Sequence, residues 1–483
     1  MTLSNKTHET KDRHPERILQ FGTGVLLRGL CDFYIDKANK SGDYKGSIVV
    51  IKSMTGGIDT FEKQDNLYTV CVRGVKNGKN VSENIICECI SRVLAANTQW
   101  EEVLKTAENS NIDIIISNTT EVGLQYLKEE EEIPVSFPGK LTAWLLRRFN
   151  AGLKGVVLIP TELVVDNGVL LKSLVLRQVE DQALSNDFKD WIENENEFCN
   201  SLVDRIVPGM PSSKEHKEIC SELGYQDDLL LKSEVYSLWA IEGDEKVKAR
   251  LGFEKADKRV VVEPNITQYR ELKLRMLNAP HIIMCGLCYL ADFETVKDAL
   301  ANDNIEKYIT NLMLTELAPS VSEKIDPKVV QRYGREIIDR FRNPYLDHKW
   351  LSITFQYTMK IKMRAIPLLV RYYEIFDNVP HYFARGFAAY LLFMKVDKVE
   401  NGIYYGKHND IHYLINDDQA SWYYENWNTE DINGYTNKAL SNVGFWGIDL
   451  TTLKGFEKAV ATHLSNMEMI GVREAVSVLN VFA

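Results

Sequence analysis

Within residues 1–165 RILQFG (17–22) reads as a strand ending at glycine, and three further short runs, GSIVVIK (46–52), NIDIIISNTTE (111–121) and KGVVLIPTEL (154–163), are nearly all apolar through their centres and rich in β-branched residues. A strand with one wet face alternates apolar and polar residues, whereas a strand covered on both faces does not. The stretches between the runs carry helical periodicity, as in VLLRGLCDFYIDKANKSG (25–42), which closes on a Ser-Gly stop. Strands buried on both sides and separated by helices build a doubly wound parallel α/β sheet.

The first run leads directly into TGVLLRG, which puts Gly22 and Gly24 between a strand and a helix. Gly22 suits the tight turn, and Gly24 lets backbone amides approach a pyrophosphate drawn to the helix N-terminus. The third fingerprint glycine is replaced by Leu27. After VVVEPN (260–265) the strand signal fades, and QYRELKLRML, VVQRYGREIIDRF and GFAAYLLFMKVDKV read as helices. The expected fold is α/β: an N-terminal Rossmann-like doubly wound sheet over residues 1–262, then a mostly α-helical C-terminal domain over 263–483. Expected cofactor contacts are Phe21, Gly22, Thr23, Gly24 and Val25, joined by Ser117, Asn118, Thr119 and Glu121 at the carboxyl edge of the sheet, where ligands of open α/β folds bind. The second strand ends in Lys52 and Ser53, where an acidic residue usually holds the adenosine ribose. NAD is the expected cofactor, with NADP left open.

LKLRMLNAPHIIMCGLCYLAD (272–292) places Lys273, Asn278 and His281 at the mouth of an apolar segment. On an ideal helix the three fall within an arc of about 140°. Pro280 disturbs that helix, and Asn278 can instead cap a new one. Oxidising an alcohol by hydride loss requires a group that takes the hydroxyl proton, and a lysine held away from water can serve, with amide and imidazole donors polarising the oxygen. The plain alternative is a snorkelling lysine, a helix cap and a satisfied core histidine. Spacing alone leaves both open.

Other classes of function fit poorly. A formal net charge of −11 with no long basic stripe argues against nucleic acid or anionic membrane as partner. The polar N-terminal stretch and the absence of a bilayer-length apolar run lead us to expect a cytoplasmic protein without membrane contact. It is expected to be a monomer or small homo-oligomer that acts on small molecules. Eight scattered cysteines are expected to be reduced. Cys285 and Cys288, in IIMCGLCYL, read as one buried helix face rather than zinc ligands, and HNDIH (408–412) reads as a solvated loop, so no metal is expected.

KLRMLNAPH resembles the Lys-x4-Asn-x2-His motif of the mannitol dehydrogenase family of polyol-specific long-chain dehydrogenases. FCNSLVDRIVPG (198–209) resembles that family's Val-Asp-Arg-Ile signature, FGTGVLLRG resembles its phosphate loop, and the motifs follow in the same order across essentially the whole chain. The resemblance implies Lys273 as general acid/base, Asn278 and His281 on the substrate oxygens, Asp204 lining the site, Glu121 near a proton path and no metal. ISRVLAANTQWEEVLKTAENSNIDIIISNTTEVG and FPGKLTAWLLRRF are similar to the branch acting on ketouronates, which implies NADH-dependent reduction of D-tagaturonate to D-altronate in galacturonate catabolism. A fructuronate or neutral-polyol substrate and a non-catalytic nucleotide sensor are the alternatives. PTELVVDNG departs from the family's second asparagine, with Glu162 and Leu163 in its place. A uronate needs a cation, and YTMKIKMRAIPLL offers Lys362 and Arg364 for its carboxylate.

Overall fold

The computed structural model describes all residues except 10–13, 54–56, 120–122, 428–430 and 480–483. The chain forms two compact units, one made of Met1–Gly74 and Asn80–Ile266, the other of Val75–Lys79 and Thr267–Ala483.

The first unit is built on six parallel strands, β1 (Glu16–Phe21), β2 (Ser47–Lys52), β3 (Ile90–Ala95), β4 (Ile114–Ser117), β5 (Val157–Pro160) and β6 (Glu197–Phe198). Their spatial order is 3-2-1-4-5-6, all parallel, which is the doubly wound arrangement of dinucleotide-binding proteins. The continuous apolar runs are explained by burial on both faces. Ile18, Ile48, Val50, Ile114 and Ile116 enter one core, whereas Leu19, Phe21, Val49, Ile51 and Ile115 enter the other. Side chains of a strand alternate between faces, so covering both faces leaves few positions for a polar residue; the one inside β1, Gln20, is buried and donates to Gly22 O and Asp32. Two small three-stranded sheets complete this unit, and one of them holds Ser201–Asp204 antiparallel to Leu238–Glu242.

The second unit is mainly helical. Helix Ala279–Leu290 packs against helix His381–Phe393, and a Cβ at Gly386 would lie 2.8 Å from the carbonyl oxygen of Ile283. Gly386 therefore permits a helix approach that a larger residue forbids. One departure from the sequence reading is a three-stranded antiparallel sheet, Lys398–Glu400, Ile403–His408 and Ile411–Leu414. HNDIH is the turn of this sheet rather than a loop. Asn409 and Asp410 adopt positive φ (47° and 62°), as a two-residue hairpin turn demands. His408 and His412 bond two separate carboxylates, Asp292 and Asp397, each at 2.8 Å. Among the described residues no helix is long and apolar enough to cross a membrane.

Candidate active site

The glycine loop follows β1 as the sequence reading expects. Gly22 has φ +123°, and a Cβ there would sit 3.0 Å from both the Asn118 carbonyl oxygen and Leu27 Cδ1, so conformation and space both require glycine. Its N–H donates to Ile51 O at 3.0 Å. Gly24 is the extended N-cap of helix α1 (Val25–Gly29), and the space where its side chain would stand is open. Phe21 is buried against Phe137, their centroids 5.1 Å apart, while Thr23 and Val25 are half-buried. Helix α1 breaks at Leu30 before α2 (Cys31–Ser41). The carbonyl of Arg28 accepts from Tyr68 Oη at 3.1 Å, and that of Gly29 accepts from Arg205 Nη1 at 2.5 Å. Arg28 in turn donates to Thr23 O at 3.3 Å and to Leu229 O at 2.6 Å. Arg205, from the Val-Asp-Arg-Ile stretch, thus supports the loop helix. The adjacent Asp204 is buried on the strand Ser201–Asp204.

At the end of β4 the local organiser is Glu162. Its carboxylate accepts from Ser117 Oγ (3.2 Å), Thr119 N (2.9 Å) and Thr119 Oγ1 (3.0 Å). Burial pushes the Glu162 pKa up against the pull of these donors. Asn118 Nδ2 donates to the carbonyl and hydroxyl of Thr161, both at 3.0 Å. The Ser117 hydroxyl is buried and engaged by Glu162, so what it does is hold the strand end in shape. Glu121 lies outside the described residues. Lys52 Nζ donates to Gly57 O at 2.7 Å. Sequence reasoning missed the parts played by Arg28, Arg205 and Glu162, whose partners come from distant segments.

Lys273, Asn278 and His281 do not sit on one unbroken α-helix. After helix Thr267–Leu272 the chain forms a π turn over Lys273–Asn278 and then helix Ala279–Leu290, with Pro280 in its first turn. An α-helix through this point would need a hydrogen bond from residue 280, and proline has none to give. The widened turn avoids that demand, and Ala279 N–H reaches back to Leu274 O, five residues away. In an i→i+5 turn residues five apart lie closer to one face than they do in an α-helix, and His281 follows three residues after Asn278. The π turn therefore narrows the arc expected of Lys273, Asn278 and His281 relative to an ideal helix.

Residues remote in sequence surround His281. Phe341 lies 4.3 Å away by ring centroid, His348 5.3 Å and Trp350 6.2 Å. Its Nε2 is enclosed and has no hydrogen-bond partner among the described residues. Burial, then His348, Arg340 and Arg364, hold the imidazole pKa well below its usual range, so the ring is neutral at neutral pH. Of the two expected carboxylate readers, Arg364 is the one that bears on His281; Lys362 Nζ instead donates to Gly444 O at 3.1 Å. Arg275, inside the π turn, holds the backbone carbonyls of Met363 and Arg364.

All eight cysteines are free and buried. Burial pushes the Cys285 thiol up to about 12, so it behaves as a small apolar side chain. Among the described residues no three His, Cys, Asp or Glu side chains gather as a metal site.

Comparison with known proteins accounts for both units. Residues 16–255 match the family model described as the mannitol dehydrogenase Rossmann domain, and residues 265–468 match the mannitol dehydrogenase C-terminal domain. An altronate oxidoreductase of Halalkalibacterium halodurans is 34% identical over 497 residues, covering 99% of this chain and 96% of the relative. An altronate oxidoreductase of Bacillus subtilis is 34% identical over 485 residues, covering 98% and 97%. Among solved structures, D-sorbitol dehydrogenase in substrate-free form shares the fold with a TM-score of 0.76 at 20% identity, covering 99% of this chain and 100% of the other. A ternary complex of Pseudomonas fluorescens mannitol 2-dehydrogenase with NAD and D-mannitol gives 0.64, also at 20% identity, with 99% of both chains covered. The chain belongs to the mannitol dehydrogenase family and is a dehydrogenase acting on CH–OH groups.

Proposed function

We propose that this enzyme interconverts a ketouronate and its aldonate, D-tagaturonate and D-altronate, with NAD as cofactor and Lys273 as general acid/base, as a step in galacturonate catabolism. The observation that carries the reading is the π turn over Lys273–Asn278, after which His281 stands in the field of Arg340 and Arg364. The relatives matched along nearly their full length are named altronate oxidoreductases, which supports an aldonate as one of the two substrates.

The glycine loop fits a dinucleotide, because the space beside Gly24 is open and Gly22 gives the turn that leads into α1. Once bound, the nicotinamide accepts or returns the hydride. In oxidation Lys273 takes the proton of the reacting hydroxyl, and in reduction it gives the proton back. Asn278 and the neutral His281 donate to the oxygen as charge develops on it. Arg364 pairs with the substrate carboxylate, a planar match that a guanidinium makes with two parallel bonds. Asp204 is proposed as a substrate contact and Ser117, Asn118, Thr119 and Glu121 as cofactor contacts, and Lys362 contributes less because Gly444 already engages it.

The test is loss of NADH absorbance with D-tagaturonate, D-fructuronate and D-fructose offered separately, and with NADPH alongside. Fast turnover confined to tagaturonate and NADH is the expected result. Preference for fructose would overturn the acidic-substrate reading, and preference for fructuronate would overturn the choice of epimer. Replacing Arg364 with glutamine should raise KM for the acid about tenfold or more, since it removes a charge-assisted pair. The same change at Lys362 should leave KM within about twofold.

A further inference from the structure

A second imidazole stands beside His281. His348 lies in the loop between helix Pro327–Phe341 and helix Trp350–Ile353 and meets His281 edge-on, at 73° between ring planes and 5.3 Å between centroids. The main chain of this loop is fixed independently of the ring. Val296 N–H donates to His348 O at 2.9 Å, and Lys349 bridges Thr295 in antiparallel fashion. Phe341 and Trp350 form an apolar wall around His281. His281 Nε2 has no partner, and the His348 ring makes no hydrogen bond among the described residues. An enclosed polar atom without a partner, as His281 Nε2 is, is rare in a settled core and asks for a ligand, and the half-buried His348 ring stands beside it. Burial and Arg340 lower the pKa of His348 as they do that of His281, so each ring keeps one N–H donor at neutral pH.

We propose that His348 is a further substrate-binding residue, whose ring N–H donates to the carboxylate of a sugar acid beside His281 and favours that acid over the corresponding neutral polyol. The proposal rests on the sugar-acid reading above. A carboxylate only accepts hydrogen bonds, so imidazole N–H donors and a guanidinium suit it well. A primary alcohol in its place has fewer lone pairs to offer and no charge, so the N–H bond to it is weaker.

The experiment measures kcat and KM with NAD for D-altronate and for its neutral counterpart D-altritol, in the wild type, His348→Leu and His348→Asn. NADH binding by fluorescence and the unfolding midpoint report whether each variant is intact. The expected result is a KM for altronate raised about tenfold or more in H348L, with kcat within about twofold and altritol kinetics unchanged, and recovery of most of the affinity in H348N, which restores an N–H donor. An unchanged altronate KM in H348L, or an equal rise for acid and polyol, overturns the proposal. If H348L does not fold, His348→Gln and H348N are judged against His348→Ala by the same criterion. A wild type that oxidises altritol as well as altronate refutes the sugar-acid reading before any variant is made, and refutes this proposal with it.

Discussion

Arg275 donates through Nη1 to the backbone carbonyl of Arg364 at 2.9 Å, and to that of Met363 at the same distance, while its Nε bonds Glu271 at 3.2 Å. The accepting carbonyls are the orphaned C-terminal groups of helix Tyr357–Arg364. One guanidinium therefore ties the turn that bears Lys273 and Asn278 to the helix end that bears Arg364. Replacing Arg275 with glutamine should cost about 1–3 kcal/mol of stability, because charged hydrogen bonds are lost and two carbonyls go unsatisfied. It should also lower kcat/KM for the acid about tenfold or more. Lysine at this position should recover part of both. Urea unfolding run beside steady-state kinetics checks the pair of effects; a loss of stability with normal kcat/KM would make Arg275 a purely structural clamp.

Lys273→Ala should reduce kcat by roughly 100- to 10,000-fold, the range that a positioned proton carrier contributes. NADH should still quench or enhance fluorescence in this variant as it does in the wild type. Near-normal turnover would remove Lys273 from the proton path.

Gly22→Ala places a methyl group against Asn118 O and Leu27 at 3.0 Å, at a φ of +123°. Strain of about 1–3 kcal/mol is expected. Because the strained segment is the loop itself, NADH affinity should fall more than the unfolding midpoint does. Gly24→Ala, with open space beside it, should be folded normally and should report on cofactor approach alone.

Glu316 gives a stability prediction with a definite pH window. Burial raises its pKa to about 7, against the Tyr382 and Phe383 amides that donate to it at 2.9 and 2.7 Å and the charge of Arg385. A carboxyl whose folded pKa lies above its unfolded value binds its proton more tightly when folded. Its contribution is thus complete below the unfolded pKa of about 4.3 and is lost as pH rises through about 7. Wild-type stability should fall between pH 5 and 8 by up to about 3 kcal/mol from this group. Glu316→Gln should flatten that slope, whatever its absolute stability. Denaturant unfolding at several pH values checks it, and identical slopes in the two proteins would discard the assignment.

The parallel sheet was legible because both faces of each strand are buried, which erases polar alternation and leaves a pattern that few other folds produce. The glycine loop was legible for a similar reason, since a positive φ and a close approach to Asn118 leave only one residue type that fits. The π turn was not. It adds a single residue to a helical stretch, and an apolar pattern of that length cannot register a shift so small. Glu162 was noted only as a departure from the family, and its work depends on Ser117 and Thr119 arriving from another strand end. His348 and Arg340 reach His281 only through tertiary packing, so no local spacing announces them. The hairpin of 403–414 escaped because its strands are short and largely exposed, with tyrosines, histidines and a lysine in place of an apolar stripe.

The π turn has a consequence for how this chain can change over evolutionary time. It is a helix carrying one residue more than α geometry accommodates, so deleting a residue between Lys273 and Asn278 would restore a regular backbone. That deletion would leave the helix downstream in place, because the widened turn already absorbs the extra residue locally. The lysine and asparagine would then stand four residues apart and the histidine seven from the lysine, spacings that still share one face of an α-helix. Loss of one residue is the length change this segment accommodates, whereas the same loss in the regular helix Ala279–Leu290 would turn everything beyond it by about 100°.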